Sequence, residues 1–197
     1  MCIRDSYFTK PGVTSLALTD GMAEALLRNV MRNARLALQK PADYDVRAEI
    51  MWAGTLSHND ITGDRSQGDW ASHQLEHELG GMFDIAHGAG LAAIWGSWAR
   101  YVLKQNPCRF AQLAVNVLNV PYSFGNDEKT ALEGIAAMED FFRSIGMPTS
   151  ISDMEIELTD TQIKELAHKC SFMGRRTIGG FVTLNAADME NIYRMAR

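Results

Sequence analysis

The chain has 197 residues, 46% of them hydrophobic and 22% charged, which excludes wholesale disorder and allows one domain with a core of its own. Lys plus Arg number 19 against 24 Asp plus Glu, a net charge of −5, which excludes a generically basic nucleic-acid binder. Ala (23), Leu (17) and Met (11) outweigh Ile plus Val (20); straight-chain residues and Ala lose little rotamer freedom in helices, so the expected fold is all-α. The first fifteen residues read as irregular, with Pro11-Gly12 as a turn. Thr19 or Asp20 is expected to cap a helix to about Gln39, with Met22, Leu26, Leu27, Val30, Ala34, Ala37 and Leu38 at the spacing of a buried stripe. Pro41 suits the first turn of a second helix, with Asp43 and Asp45 at its positive end and its end near residues 59–63. Residues 61–69, ITGDRSQGD, read as a loop.

Trp70 to Leu79 returns to helix and is expected to stop at Gly80-Gly81. His87 or Gly88 opens a long apolar helix to about Gln105, with Trp95 and Trp98 assigned to the core. Asn106-Pro107 is a cap plus first-turn proline for a helix ending near Asn119. Asp127 to Ile145 is amphipathic, with Leu132, Ile135, Ala136, Met138, Phe142 and Ile145 facing inward; Gly146 and Pro148 end it. Asp160 to about Phe172 is a further helix, 173–184 a loop with a solvated Arg175-Arg176 pair, and Asn185 caps the last helix. The expectation is one bundle-like domain of seven or eight helices with no strand.

Cys2, Cys108 and Cys170 are odd in number and widely spaced, so no disulfide framework is expected; Cys108 and Cys170 read as small buried hydrophobes in a reducing compartment. The start, MCIRDSYFTK, has no apolar signal segment, and the longest uncharged stretch, Gly88 to Ala99, is too short to span a bilayer. The expected location is cytoplasmic, with no membrane and no nucleic-acid partner.

Three of the five histidines fall in SHQLEHELGGMFDIAHG. His73 and His77, four apart, share one helix face, and His87 heads the next helix after a reversal. A helix, a reversal and a second helix can bring three imidazoles together, and neutral imidazole suits Zn, Fe, Cu and Ni. Read from spacing alone, the set is open between a metal site and a non-catalytic helical binding or interaction domain with structural histidines.

The stretch HQLEHELGGMFDIAHGAGLAAIWGSWARY, with His73, His77 and His87-Gly88, resembles the signature of the iron-containing (group III) alcohol dehydrogenases. It is most similar to their butanol dehydrogenase and NADPH-dependent aldehyde reductase branch. The resemblance extends over MAEALLRNVMRNARLALQKPADYDVRAEIMWAGTLSHND and RRTIGGFVTLNAADMENIYR. It implies an oxidoreductase acting on small alcohols or aldehydes, with His73 and His87 as ligands of a divalent metal, Fe or Zn. It places His77 near nicotinamide and substrate as a catalytic residue rather than a ligand. It also implies an upstream Asp-x-x-x-His ligand pair, a nicotinamide cofactor (NAD(P)H, with NADP favoured) on an N-terminal nucleotide-binding domain, and a homodimer.

No independent Asp-x-x-x-His precedes His73 (Asp69 would reuse His73 itself), and no GxGxxG occurs, so cofactor-binding residues stay unknown. The expected division is 1–6 as a non-family leader, a candidate assembly artefact, and 7–197 as the C-terminal helical metal-binding domain, its N-terminal partner domain absent. Such a fragment is expected to be inactive alone and to expose an apolar face around Ala86 to Trp98 through which it self-associates.

Overall fold

A computed structural model describes residues 2–10, 12, 16–63 and 68–197. Pro11 of the expected turn and positions 64–67 of the expected loop lie outside these. The described residues form nine α-helices, two 3-10 turns and two isolated bridges, Thr9 with Gly68 and Ile178 with Leu184. The all-α expectation holds, with one helix more than expected: α1 (Cys2–Tyr7), in the stretch read as irregular. It packs on α2 (Ala17–Gln39), burying Ile3, Tyr7 and Phe8.

Between α2 and α3 (Tyr44–Leu56), Pro41 sits in a turn rather than in the helix. The cap is Asp43, whose side chain accepts from the Val46 N–H at 3.2 Å; a carboxylate with extended backbone satisfies a first-turn donor that proline cannot. The buried face of α2 also departs from the apolar stripe. Asp20, Glu24 and Asn33 are buried, while Leu38 is exposed. Asp20 pairs with Arg109 at 2.5 and 2.7 Å, and Glu24 accepts from Tyr7, Gln112 and Asn116. These bonds offset the cost of burying the carboxylates.

α4 (Ala71–Phe83) runs through Gly80-Gly81 instead of stopping there. A helical glycine costs only about 1 kcal/mol relative to alanine, less than the packing of α4 on its neighbours supplies. The stop is Asp84, left-handed at φ 52°, whose N–H reaches the Gly80 carbonyl at 2.9 Å. Three residues later α5 (His87–Val102) begins, extended by a 3-10 turn, Leu103–Gln105. Every residue from Gly90 to Ala99 is buried, Trp95 and Trp98 completely. A helix apolar all round must be central, and α5 packs on α4, on α7 (Asp127–Ser144) and on α9 (Ala186–Ala196). Of the apolar face expected to be open around Ala86 to Trp98, Gly90 to Trp98 is therefore covered by the chain's own helices, and Ala86 to Gly88 are exposed. The large apolar side chains left open include Tyr44, Met51 and Trp52 on α3.

α6 (Pro107–Leu118) starts as expected, Asn106 accepting from the Arg109 N–H and Pro107 in the first turn, and ends at left-handed Asn119. Its partner α7 buries Ile135, Met138 and Phe142 as expected, but its inward face is rotated at one edge. Ala131, Gly134, Ile135, Met138, Phe141 and Phe142 are buried, but Leu132 and Ala136 are exposed. The rotation follows from backbone approach: a Cβ at Gly134 would stand 2.3 Å from the Ala114 Cβ, so the helices touch along that line. α8 (Asp160–Cys170) begins with a capping box of Thr159 and Gln162, and α9 with one of Asn185 and Asp188. Cys170 is buried and burial pushes its thiol up to about 11, as expected of a structural cysteine. Cys108 is exposed, because it lies on the outer side of the first turn of α6. No helix among the described residues is long and apolar enough to cross a membrane.

Candidate functional site

The α4–α5 corner brings the three histidines of the motif together. Ring centroids lie 5.4 Å apart for His73 and His87, 5.4 Å for His77 and His87, and 6.2 Å for His73 and His77. The helical periodicity puts His73 and His77 on one face, and the short reversal at 84–86 returns the chain so that the first residue of α5 meets that face. The rings line a cleft of about 610 Å³ with Trp70, Gln74, Glu78, His58, Phe172 and Arg176.

Two of the rings are held by buried carboxylates. Nδ1 of His73 lies 2.5 Å from Oδ2 of Asp5 on α1, whose other oxygen takes two bonds from Arg4. Burial pushes the Asp5 carboxyl up, but the Arg4 charge and the His73 contact outweigh it and hold it below the usual range. Nδ1 of His87 contacts Oε2 of Glu76 on α4. His77 is exposed and meets the other rings only face to edge or tilted. Among the described residues one group places three donor atoms within 4.8 Å of one another: Glu76, His77 and His87.

Sequence reading missed four of these neighbours. Asp5 lies 68 positions from His73 and belongs to the stretch read as a leader. Glu76 sits inside the motif but carries no spacing signal. His58 ends up on the cleft wall with its Nδ1 near the Gly54 carbonyl, 2.8 Å, and the Ser57 hydroxyl, 2.9 Å. Arg176, expected to be a solvated surface residue, lies over the Phe172 ring at 3.5 Å, donates to the Cys170 carbonyl at 2.8 Å and lines the cleft; Arg175 is exposed. The only hint was the Arg-Arg-Thr-Ile-Gly-Gly segment.

The donor chemistry fits a divalent transition metal. Imidazole nitrogens with carboxylates on the opposite ring nitrogen are how proteins fix the tautomer and orientation of metal-binding histidines. Beside the rings an apolar recess of about 360 Å³, walled by Val30, Ile50, Ala53 and Leu91, opens against His73 and His87.

The sequence profile of the Fe-containing alcohol dehydrogenase family, C-terminal part, matches residues 6–197. The probable NADH-dependent butanol dehydrogenase 1 of Bacillus subtilis is 36% identical over 182 residues, 92% of this chain and 46% of that protein. The NADPH-dependent aldehyde reductase YqhD of Escherichia coli is 31% identical over 193 residues, 98% of this chain and 48% of that protein. The substrate- and cofactor-free structure of YqhD superposes with a TM-score of 0.87 at 30% identity, covering 100% of this chain and 50% of that one. The NADH-dependent butanol dehydrogenase A of Thermotoga maritima gives 0.88 at 28% identity, covering 99% and 49%. The chain thus spans about half the length of the curated relatives it matches. The convergence of His73, His77 and His87 on an all-helical scaffold and the match over nearly every residue agree: this chain belongs to the Fe-containing alcohol dehydrogenase family, to its C-terminal part.

Proposed function

We propose that this chain is the helical metal-binding half of an NAD(P)-dependent alcohol dehydrogenase or aldehyde reductase, with NADP the favoured cofactor, acting on small alcohols and aldehydes. The observation that carries the reading is the meeting of three imidazoles in one cleft, two of them backed by buried carboxylates. His73 and His87 would hold the divalent ion, Fe or Zn, with His77 beside the reacting atoms. When bound, such an ion supplies Lewis-acid polarisation of a carbonyl or alkoxide oxygen, and a nicotinamide supplies or accepts the hydride.

The chain's own share is positioning and charge. Asp5 and Glu76 hold the His73 and His87 rings. His77, exposed to the cleft, is placed to pass a proton to or from a substrate oxygen. The apolar recess accepts a short hydrocarbon tail and keeps water from it. Holding the nucleotide is not among these roles, since no glycine-rich phosphate loop behind a strand occurs among the described residues. That share of the site is assigned to an N-terminal domain beyond this chain.

The test has two arms. Calorimetric titration of the 197-residue chain with Zn²⁺ or Fe²⁺ should show one site that His73→Ala and His87→Ala each abolish; unchanged binding in both variants favours structural histidines instead. With butanal, NADPH and metal, the isolated chain should show little or no turnover, and robust turnover refutes the division of labour.

A further inference from the structure

We propose that Glu76 is the positioning residue of His87, and that Gly90 serves to admit its carboxylate; this rests on the metal-site reading above. His87 is the first residue of α5, and its side chain is 52% exposed, so packing alone leaves the ring free to turn. His73, by contrast, is 9% exposed and boxed in. What restrains His87 is Oε2 of Glu76, a carboxylate whose side chain is 2% exposed and which accepts from the His87 Nδ1. A buried carboxylate is costly without a partner, so the placement of Glu76 under this ring requires an account.

The surrounding backbone is cut to fit it. A Cβ at Gly90 would lie 2.7 Å from Cγ and 2.8 Å from Oε1 of Glu76 and 2.8 Å from Cδ1 of Ile85, and one at Gly80 would lie 3.2 Å from Oε1 of Glu76. Neither glycine has a positive φ; both are ordinary helical residues. A glycine inside a helix is destabilising relative to alanine, and here conformation does not demand it. Room for the Glu76 side chain, with Ile85 beside it, does. With Nδ1–H donated to Glu76, the neutral ring carries its lone pair on Nε2, the tautomer a metal or a substrate proton needs at the cleft. Glu76 also lies among the clustered donor atoms with His77 and His87. Its burial and its engagement with Nδ1 assign it to holding the ring and not to ligating the ion.

The experiment uses the 197-residue chain and two readouts: the His87 tautomer from long-range ¹⁵N–¹H spectra without metal, and Zn²⁺ affinity by calorimetry. Glu76→Leu, apolar and similar in size, should lose the Nδ1–H tautomer bias and bind Zn²⁺ about 10–100-fold more weakly. Glu76→Gln should fall between, because its amide oxygen still accepts. Gly90→Ala, which drives the carboxylate aside, should behave like Glu76→Leu while its far-ultraviolet spectrum stays helical. Wild-type tautomer and affinity in Glu76→Leu would overturn the proposal. So would a loss in Glu76→Gln as large as in Glu76→Leu and well beyond a hundredfold, which would make Glu76 a ligand. If His87→Ala leaves Zn²⁺ affinity unchanged, the metal-site reading itself fails, and the tautomer readout still decides the role of Glu76.

Discussion

At the N-terminal end of α5, Gly90 makes room for Glu76 of α4, which contacts His87; six residues on, Gly96 makes room for Glu139 of α7, which holds Arg100. A Cβ at Gly96 would stand 2.0 Å from Oε1 of Glu139, closer than anything met at Gly90. The devices are alike in shape and differ in the cation. Arg100 is always charged and takes Glu139 through both terminal nitrogens, at 2.5 and 2.7 Å, a fork-to-fork pair that locks α5 to α7. His87 carries no fixed charge and keeps a second ring nitrogen to offer, so the same construction at the other end of the helix leaves a group able to exchange a proton or take an ion. The fold thus uses one arrangement twice, once as a clasp and once as a site.

Between the two ends, Trp95 and Trp98 are wholly buried and separate clasp from site. Trp95→Ala should give the largest effect, a loss of about 3–5 kcal/mol read by urea unfolding, with both ends disturbed together. A loss under 1 kcal/mol would mean that α5 does not act as the common spine.

A third buried carboxylate sharpens the contrast because its hydrogen bonds among the described residues come from backbone N–H groups. Asp69 accepts from the N–H groups of Ala71, Gly180 and Phe181 at 2.8–2.9 Å, joining the head of α4 to the 178–184 loop. Burial pushes its carboxyl up to about 6, the three N–H bonds offsetting only part of this and Asp5 adding to it. The folded state therefore holds the Asp69 proton more tightly than the unfolded chain. Its contribution is most favourable below about pH 4 and is lost as pH rises through 6, by on the order of 3 kcal/mol. Asp5, held below the usual range, works in the opposite direction and only at lower pH. Thermal melts from pH 4 to 7 should show a falling limb that Asp69→Asn flattens; an equal slope in both proteins would contradict this.

The smallest expected effect separates the two ends directly. Glu139→Leu should cost about 1–3 kcal/mol of stability and leave Zn²⁺ affinity within about twofold. Parallel chemical-denaturation and calorimetric series check this, and a fall in metal affinity with Glu139→Leu would show that the ends are coupled.

What could be read along the chain was local. Asn106 and Asn185 cap helices because their side chains reach donors two or three residues ahead, and such reach is written in order. The same holds for the apolar run of α5 and for the 73/77/87 spacing. On α7 the same logic found Ile135, Met138 and Phe142 but misplaced Leu132 and Ala136: periodicity finds an apolar stripe but not the rotation that Gly134 on Ala114 imposes. Gly80-Gly81 was overread as a break because propensity is weak beside packing.

The sequence by itself therefore determined the helical class, most helix ends, the family and which histidines could meet. The tertiary structure alone decided that Asp5 stands on His73, that Glu76 lies under His87 and that His58 and Arg176 wall the cleft. The reason is physical: capping and helical periodicity act over one or two turns, whereas a buried charge takes its partner from whatever segment the packed helices bring within about 3 Å.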